Sequence, residues 1–160
     1  MLAVVVLLAI MACLSGFIPD IPVLQEMRKQ EAHNVAQAML VSRLYAERNI
    51  SPSFSGSFDP VDSVPMAHRQ EYRTYDLSGW ASNGTIYIYS ERGSSLILKE
   101  LSLITDRSLN IGLVRETKGG HVIEPDAGVC SGLSAGELCS LPAPSSIPSG
   151  SIVAVSGSGN

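Results

Sequence analysis

The chain is short of charge, and what it has shows no basic excess. Asp, Glu, Lys and Arg make up 16% of 160 residues, against about a quarter in an ordinary soluble domain. A formal net charge of −4 leaves no cationic footprint for a nucleic-acid backbone. There is no P-loop, no dinucleotide-binding glycine fingerprint, no Cys-x-x-Cys pair and no sustained heptad run. The three histidines, His33, His68 and His121, never fall at His-x-x-x-His spacing. A metal site would therefore have to be assembled from distant parts of the chain. We expect no cofactor, no metal, no nucleic acid and no small-molecule substrate.

Two patterns imitate catalytic motifs. Gly132-Leu133-Ser134-Ala135-Gly136 matches the Gly-x-Ser-x-Gly nucleophile elbow. That elbow needs a buried strand before it and a helix after it. Here it lies in a short loop between two cysteines, so it reads as a Gly/Ser-rich turn. Asp59 and Asp62 sit in an Asp-Pro-Val-Asp acidic turn. Asn49-Ile50-Ser51 and Asn83-Gly84-Thr85 have the form of glycosylation sites, which matter only in a eukaryotic secretory pathway. The expectation is a protein that is not an enzyme.

Long hydrophobic runs are also scarce: there is one, residues 2–18, without a charge. Leu2, Val4, Leu7, Ile10, Leu14 and Phe17 are its anchor residues. A spanning helix needs about 17–25 apolar residues, so the run sits at the lower edge. No basic residue precedes it, as a cleaved signal would require. A retained anchor, a cleaved signal and lipidation at Cys13 all stay open, and the anchor fits best. Arg28 and Lys29 follow the run, which by the positive-inside rule favours a cytoplasmic body. Cys130 and Cys139 argue the other way. In an exported, hydroxyl-rich domain such a pair oxidises, and closing a loop of about ten residues adds roughly 2–3 kcal/mol. We weight the cysteines more heavily and expect an inner-membrane protein whose domain faces the periplasm.

The remainder divides at prolines and glycines. Residues 1–22 form the anchor or signal segment, 23–50 a stalk helix and 51–160 the α+β domain with its carboxy-terminal cystine loop. Pro22 suits a first helical turn, and no Gly or Pro interrupts the chain again before Pro52. Val35, Ala38, Met39, Ser42 and Ala46 share one helical face, whereas Leu40 and Leu44 fall nearly opposite. Residues 25–34 are polar and read as a solvated stalk. Residues 51–79 read as a long surface loop with a short strand or turn near 72–75. Trp80 is a core or rim residue before a strand at 85–89, where Ile86 and Ile88 alternate with Tyr87 and Tyr89. Asn83-Gly84 marks a tight turn. Ser94 or Ser95 caps a helix over 96–107, with Ile97, Leu98, Leu101 and Ile104 as its buried stripe. Strands at 110–116 and 121–124 flank a Lys118-Gly119-Gly120 turn, and a last strand covers 151–155. The fold class is α+β: a hydrophobic amino-terminal helix, a long stalk helix and a small, largely antiparallel sheet with one packed helix.

This layout resembles components of type IV pilus machinery. A pilin would carry its Gly-Phe processing step before the hydrophobic run and a Glu soon after it. Here Gly16-Phe17 comes at the far end of the run, with most of it preceding, and Ile21 occupies the Glu position. The helix Ala-Gln-Ala-Met-Leu-Val-Ser-Arg-Leu-Tyr-Ala-Glu-Arg-Asn, the segment from Trp80 to Tyr89, and the ending with Leu141, Pro142, Ala143, Pro144, Ile147 and Pro148 are similar instead to small PilM proteins. These belong to thin-pilus (type IVb) operons of conjugative plasmids. The resemblance implies an inner-membrane component of the pilus basal body or of pilin transport, which supports conjugation indirectly. Its partners would be other pilus assembly proteins, and it offers no catalytic residues. Leu40, Leu44, Tyr87 and Tyr89 are the candidate contacts. A minor pilin-like subunit, or a secreted or cell-surface binding module freed by signal cleavage, is the alternative.

Overall fold

The computed structural model describes residues 21–105, 110–125 and 140–156. The chain divides into two units, Met1–Glu31 and Ala32–Asn160. Helix α1, Ile21–Asn49, runs from the first into the second. In the first unit, residues 22–31 are all exposed, with Val23, Leu24 and Met27 among them. The segment 2–18 lies outside the described residues. Among the described residues, no helix is long and apolar enough to cross a membrane.

From Ala32 onward α1 belongs to the domain rather than to a separate stalk. Ala32, Val35, Ala36, Ala38, Met39, Ser42 and Ala46 are buried at i, i+3, i+4 spacing. Four of these are alanines, Ala32, Ala36, Ala38 and Ala46. Asn49 closes the helix, its side-chain Nδ2 donating to the Ser63 carbonyl at 3.1 Å.

Seven strands form one sheet: β1 Gly56–Phe58, β2 Leu77–Ser82, β3 Thr85–Ser90, β4 Ile111–Thr117, β5 Gly120–Glu124, β6 Leu141–Pro142 and β7 Ile152–Val155. Their spatial order is β1-β2-β3-β7-β4-β5-β6 and every pairing is antiparallel. β7 sits in the middle, pairing Tyr87 with Val155 on one side and Ile111 with Ala154 on the other.

Both faces of the sheet carry apolar side chains, as the run Thr-Ile-Tyr-Ile-Tyr demands. On one face Leu77, Ala81, Ile86, Ile88, Ile111, Ile152 and Ala154 meet α1 and helix α2, Ser95–Ile104. On the other, Tyr89, Val114, Ile123, Val153 and Val155 gather around Ile147, which is fully buried. The segment 141–150 supplies that cover. It is laced to the sheet by Ala143 N donating to the His121 carbonyl at 2.9 Å and Gly150 N to Val114 at 2.8 Å. His121 Nδ1 lies 2.9 Å from the Ile147 carbonyl.

Turn chemistry explains the hairpins. Asn83 and Gly84 have φ of 51° and 76°, the left-handed pair that joins twisted strands through two residues. Lys118 and Gly119 make the next two-residue connection, between Thr117 and its partner Gly120. Ser94 Oγ accepts from Leu96 N at 3.3 Å and starts α2. That helix stops at Ile104, where Thr105 Oγ1 donates to Leu101 O at 2.7 Å. Stopping there leaves Ile104 exposed, so the buried stripe is Ile97 and Leu101 with Leu98 alongside.

The surface loop expected over 51–79 is largely ordered structure. It holds β1, single helical turns at Pro60–Ser63 and Arg69–Tyr72, two 3-10 turns and the start of β2. Asp59 Oδ1 accepts from Val61 N at 2.9 Å, so the acidic turn caps a helical turn.

Candidate functional site

The four residues picked from sequence as partner contacts do not share one environment. Leu44 is exposed on α1, whereas Leu40 leans against the helix-side core. Tyr87 is half-buried beside Trp80, its cross-strand neighbour, on the sheet face away from α1. Burial pushes the Tyr87 hydroxyl above its usual 10.0. Tyr89 is buried in the second core, at 8% exposure, because the segment 141–150 packs over that end of the face. Of the two tyrosines, only Tyr87 keeps a substantial surface. Cys130, Cys139 and the Ser134 elbow lie outside the described residues, as do Leu2, Val4, Leu7, Ile10, Leu14 and Phe17.

Among the described residues, a concave surface lies elsewhere, along the β1 edge of the sheet. β1 ends at Phe58 and covers only the middle of β2, pairing Gly56 with Ala81 and Phe58 with Gly79. Gly79 has no side chain because the Phe58 ring occupies that space; a Cβ there would meet the ring at 2.5 Å. Two clefts border this short strand, and a third lies beside the segment that leads into it. The largest, about 560 Å³, opens where β1 stops, over residues 77–79, and reaches Ser57, Tyr89, Arg73 and Asp76. The second, about 460 Å³, has Ile50, Phe54 and Phe58 as its floor and Asp59 and Asp62 at its rim. The third, about 190 Å³, lies on the far side of Phe54, against Ala81, Ile86 and Glu47.

The carboxylates here are loosely held. Exposed Asp62 is 3.8 Å from the partly buried Arg69, and Asp76, at φ 54°, is 3.9 Å from Arg92, both exposed. Glu47 Oε1 is 3.4 Å from Arg43 Nε, while Arg43 Nη1 donates to the Val155 carbonyl at 3.0 Å. Nearby, the rings of Tyr72 and Tyr75 stack edge to face at 6.2 Å. Burial first, and the Glu71 carboxylate second, raise both phenols above 10.0. No group of three potential metal ligands occurs among the described residues.

The sequence holds little signal for this edge. In Phe54-Ser55-Gly56-Ser57-Phe58 the two aromatics stand four positions apart with only Ser and Gly between them, so no strand period shows and the nearby prolines read as loop.

No curated protein matches the chain, and no solved structure matches it. The profile of the PilM family does, over residues 8–155. That match takes in all seven strands, α1 and α2, as well as the clefts along β1. The chain belongs to the PilM family.

Proposed function

We propose that this protein is a non-enzymatic component of type IVb pilus assembly. It is held at the inner membrane by residues 2–18, with the domain in the periplasm, and supports conjugation indirectly. Membership of the PilM family over residues 8–155 carries this reading. Its mechanism is scaffolding: the amino-terminal segment fixes position, and surfaces of the domain hold other pilus assembly proteins. Two features of the domain support a binding role. Its concavities are open grooves along a sheet edge, and its exposed apolar side chains include Leu44, Phe54 and Met66.

Deleting the coding sequence from a strain that makes thin pili, and restoring it in trans, tests the reading. Loss of pili with unchanged pilin synthesis, reversed by the intact chain, is the expected result. Normal piliation of the deletion strain would overturn it. Fractionation and thiol labelling test the location. An intact chain resisting carbonate extraction, with Cys130 and Cys139 blocked until reduced, is expected. A soluble, processed chain would favour the released binding module instead.

A further inference from the structure

α1 begins almost where the charge-free run ends: only Pro19 and Asp20 separate Ile18 from Ile21. Three peptide steps span at most about 11 Å. A bilayer that holds residues 2–18 therefore keeps the start of α1 beside its headgroups. The first turns of α1 carry apolar side chains that the protein leaves uncovered. Val23, Leu24 and Met27 are 54%, 47% and 64% exposed. At 3.6 residues per turn they fall within an arc of roughly 100°. Gln25, Glu26 and Lys29 take the other side, Arg28 stands at the rim, and Glu31 closes the arc one turn beyond Met27. A single exposed apolar residue is ordinary. Three on one helical face, with polar residues on the other, is the pattern of a helix lying in a membrane interface.

Size and reach select the occupant. A stable protein interface buries roughly 800 Å² on each partner, and three half-exposed side chains supply only a fraction of that, which disfavours a second copy of the chain. A bilayer asks for no matching shape, only for apolar surface at the right depth, and the short link to Ile18 supplies the depth. From Ile21 to Met27 the helix rises only about 9 Å. The run 2–18 is also at the lower edge of what a spanning helix needs, so lipid contact by these turns adds to a short anchor.

We propose that the first turns of α1 are a second lipid contact, with Val23, Leu24 and Met27 among the upper acyl chains and Arg28 at the level of the phosphates. The proposal rests on the membrane placement proposed above, adds a contact separate from residues 2–18, and can fail while that placement stands.

The test uses the full chain in phospholipid nanodiscs, with its five methionines labelled with carbon-13 at the methyl group. Some lipids carry a nitroxide near the top of their acyl chains. Met11 reports the amino-terminal run, Met27 the proposed contact, Met39 the buried core and Met66 the open surface at 83% exposure. The Met27 signal should broaden at least threefold more than that of Met66, although Met66 is the more exposed, and Met39 should be spared. A water-soluble nitroxide should reverse the order of Met27 and Met66. Exchanging Val23 and Leu24 together for Gln, both at exposed positions, should at least halve the lipid broadening of Met27 and leave that of Met11 unchanged. Broadening at Met11 with Met27 no different from Met66 would overturn the proposal and leave the anchor in place. A chain that does not stay with the discs would overturn both. Two chains per disc with Met27 shielded from both probes would overturn the lipid contact in favour of a second copy.

Discussion

His33 Nδ1 lies 3.1 Å from Glu100 Oε2, tying α1 to α2 across 67 positions of sequence. Glu100 is buried at 8% exposure, and His33 is the polar group that reaches its carboxylate. Removing one partner strands the other. His33→Ala, which strands the buried Glu100 carboxylate, should therefore lower unfolding stability by about 1–2 kcal/mol, and His33→Gln, which keeps a hydrogen-bond donor, by less than half of that. Urea unfolding followed by the fluorescence of Trp80 reads both. An alanine variant as stable as the parent would show that the contact is ornamental.

Gly79 is the seat of the Phe58 ring, which stands 2.5 Å from where a Cβ would be. Gly79→Ala should push that ring aside, at a cost of about 1–3 kcal/mol. The damage should concentrate at β1. Amide exchange at Gly56–Phe58 should accelerate more than at Thr85–Ser90, and uniform acceleration would contradict the seating argument.

Ser42 is fully buried in α1, and its hydroxyl has no hydrogen-bond partner among the described residues. An unpaired buried hydroxyl is a penalty carried by the fold. Ser42→Ala removes it and adds a better helix former. The variant should gain about 1 kcal/mol, on the scale of such penalties, and show a higher thermal midpoint. A loss of similar size would mean that the hydroxyl is satisfied after all.

Burial raises the Tyr87 hydroxyl above 10.0 in the folded chain. Folding then retains a proton that the unfolded chain gives up, so the contribution is whole below pH 10.0 and is lost as pH climbs through the folded value. Tyr72 and Tyr75 act in the same direction. Stability should fall as pH rises above 10.0, and Tyr87→Phe should make that fall shallower. Urea midpoints at several alkaline pH values would show it; an unchanged slope in the variant refutes it.

Much of this architecture was readable because the local signals were unambiguous. The helical stripe from Val35 to Ala46 has no breaker in it, and Asn83-Gly84 admits few conformations other than a tight turn. The strand through Ile86 and Ile88 announced two covered faces by having no polar side. The β1 edge was not readable. Three residues are too few to show a period, and β1 exists because Gly79 leaves room for Phe58, a relation across 21 positions. Tyr89 was misjudged as surface for a similar reason. Its cover, Ile147, comes from a proline-rich segment 58 positions later that has no periodicity of its own. The division after Glu31 falls near the end of the polar stretch 25–34, where the apolar stripe of α1 begins.

The central place of β7 has a consequence in time. β1 to β3 form one patch of sheet and β4 to β6 another, and only Ile152–Val155 joins them. A polypeptide emerging amino-terminus first holds two half-sheets with open inner borders until that segment arrives. Completion of the domain is thus a late event, gated by the delivery of four residues and slowed by the long loops they must close. Any truncation before Ile152 would leave both borders unpaired.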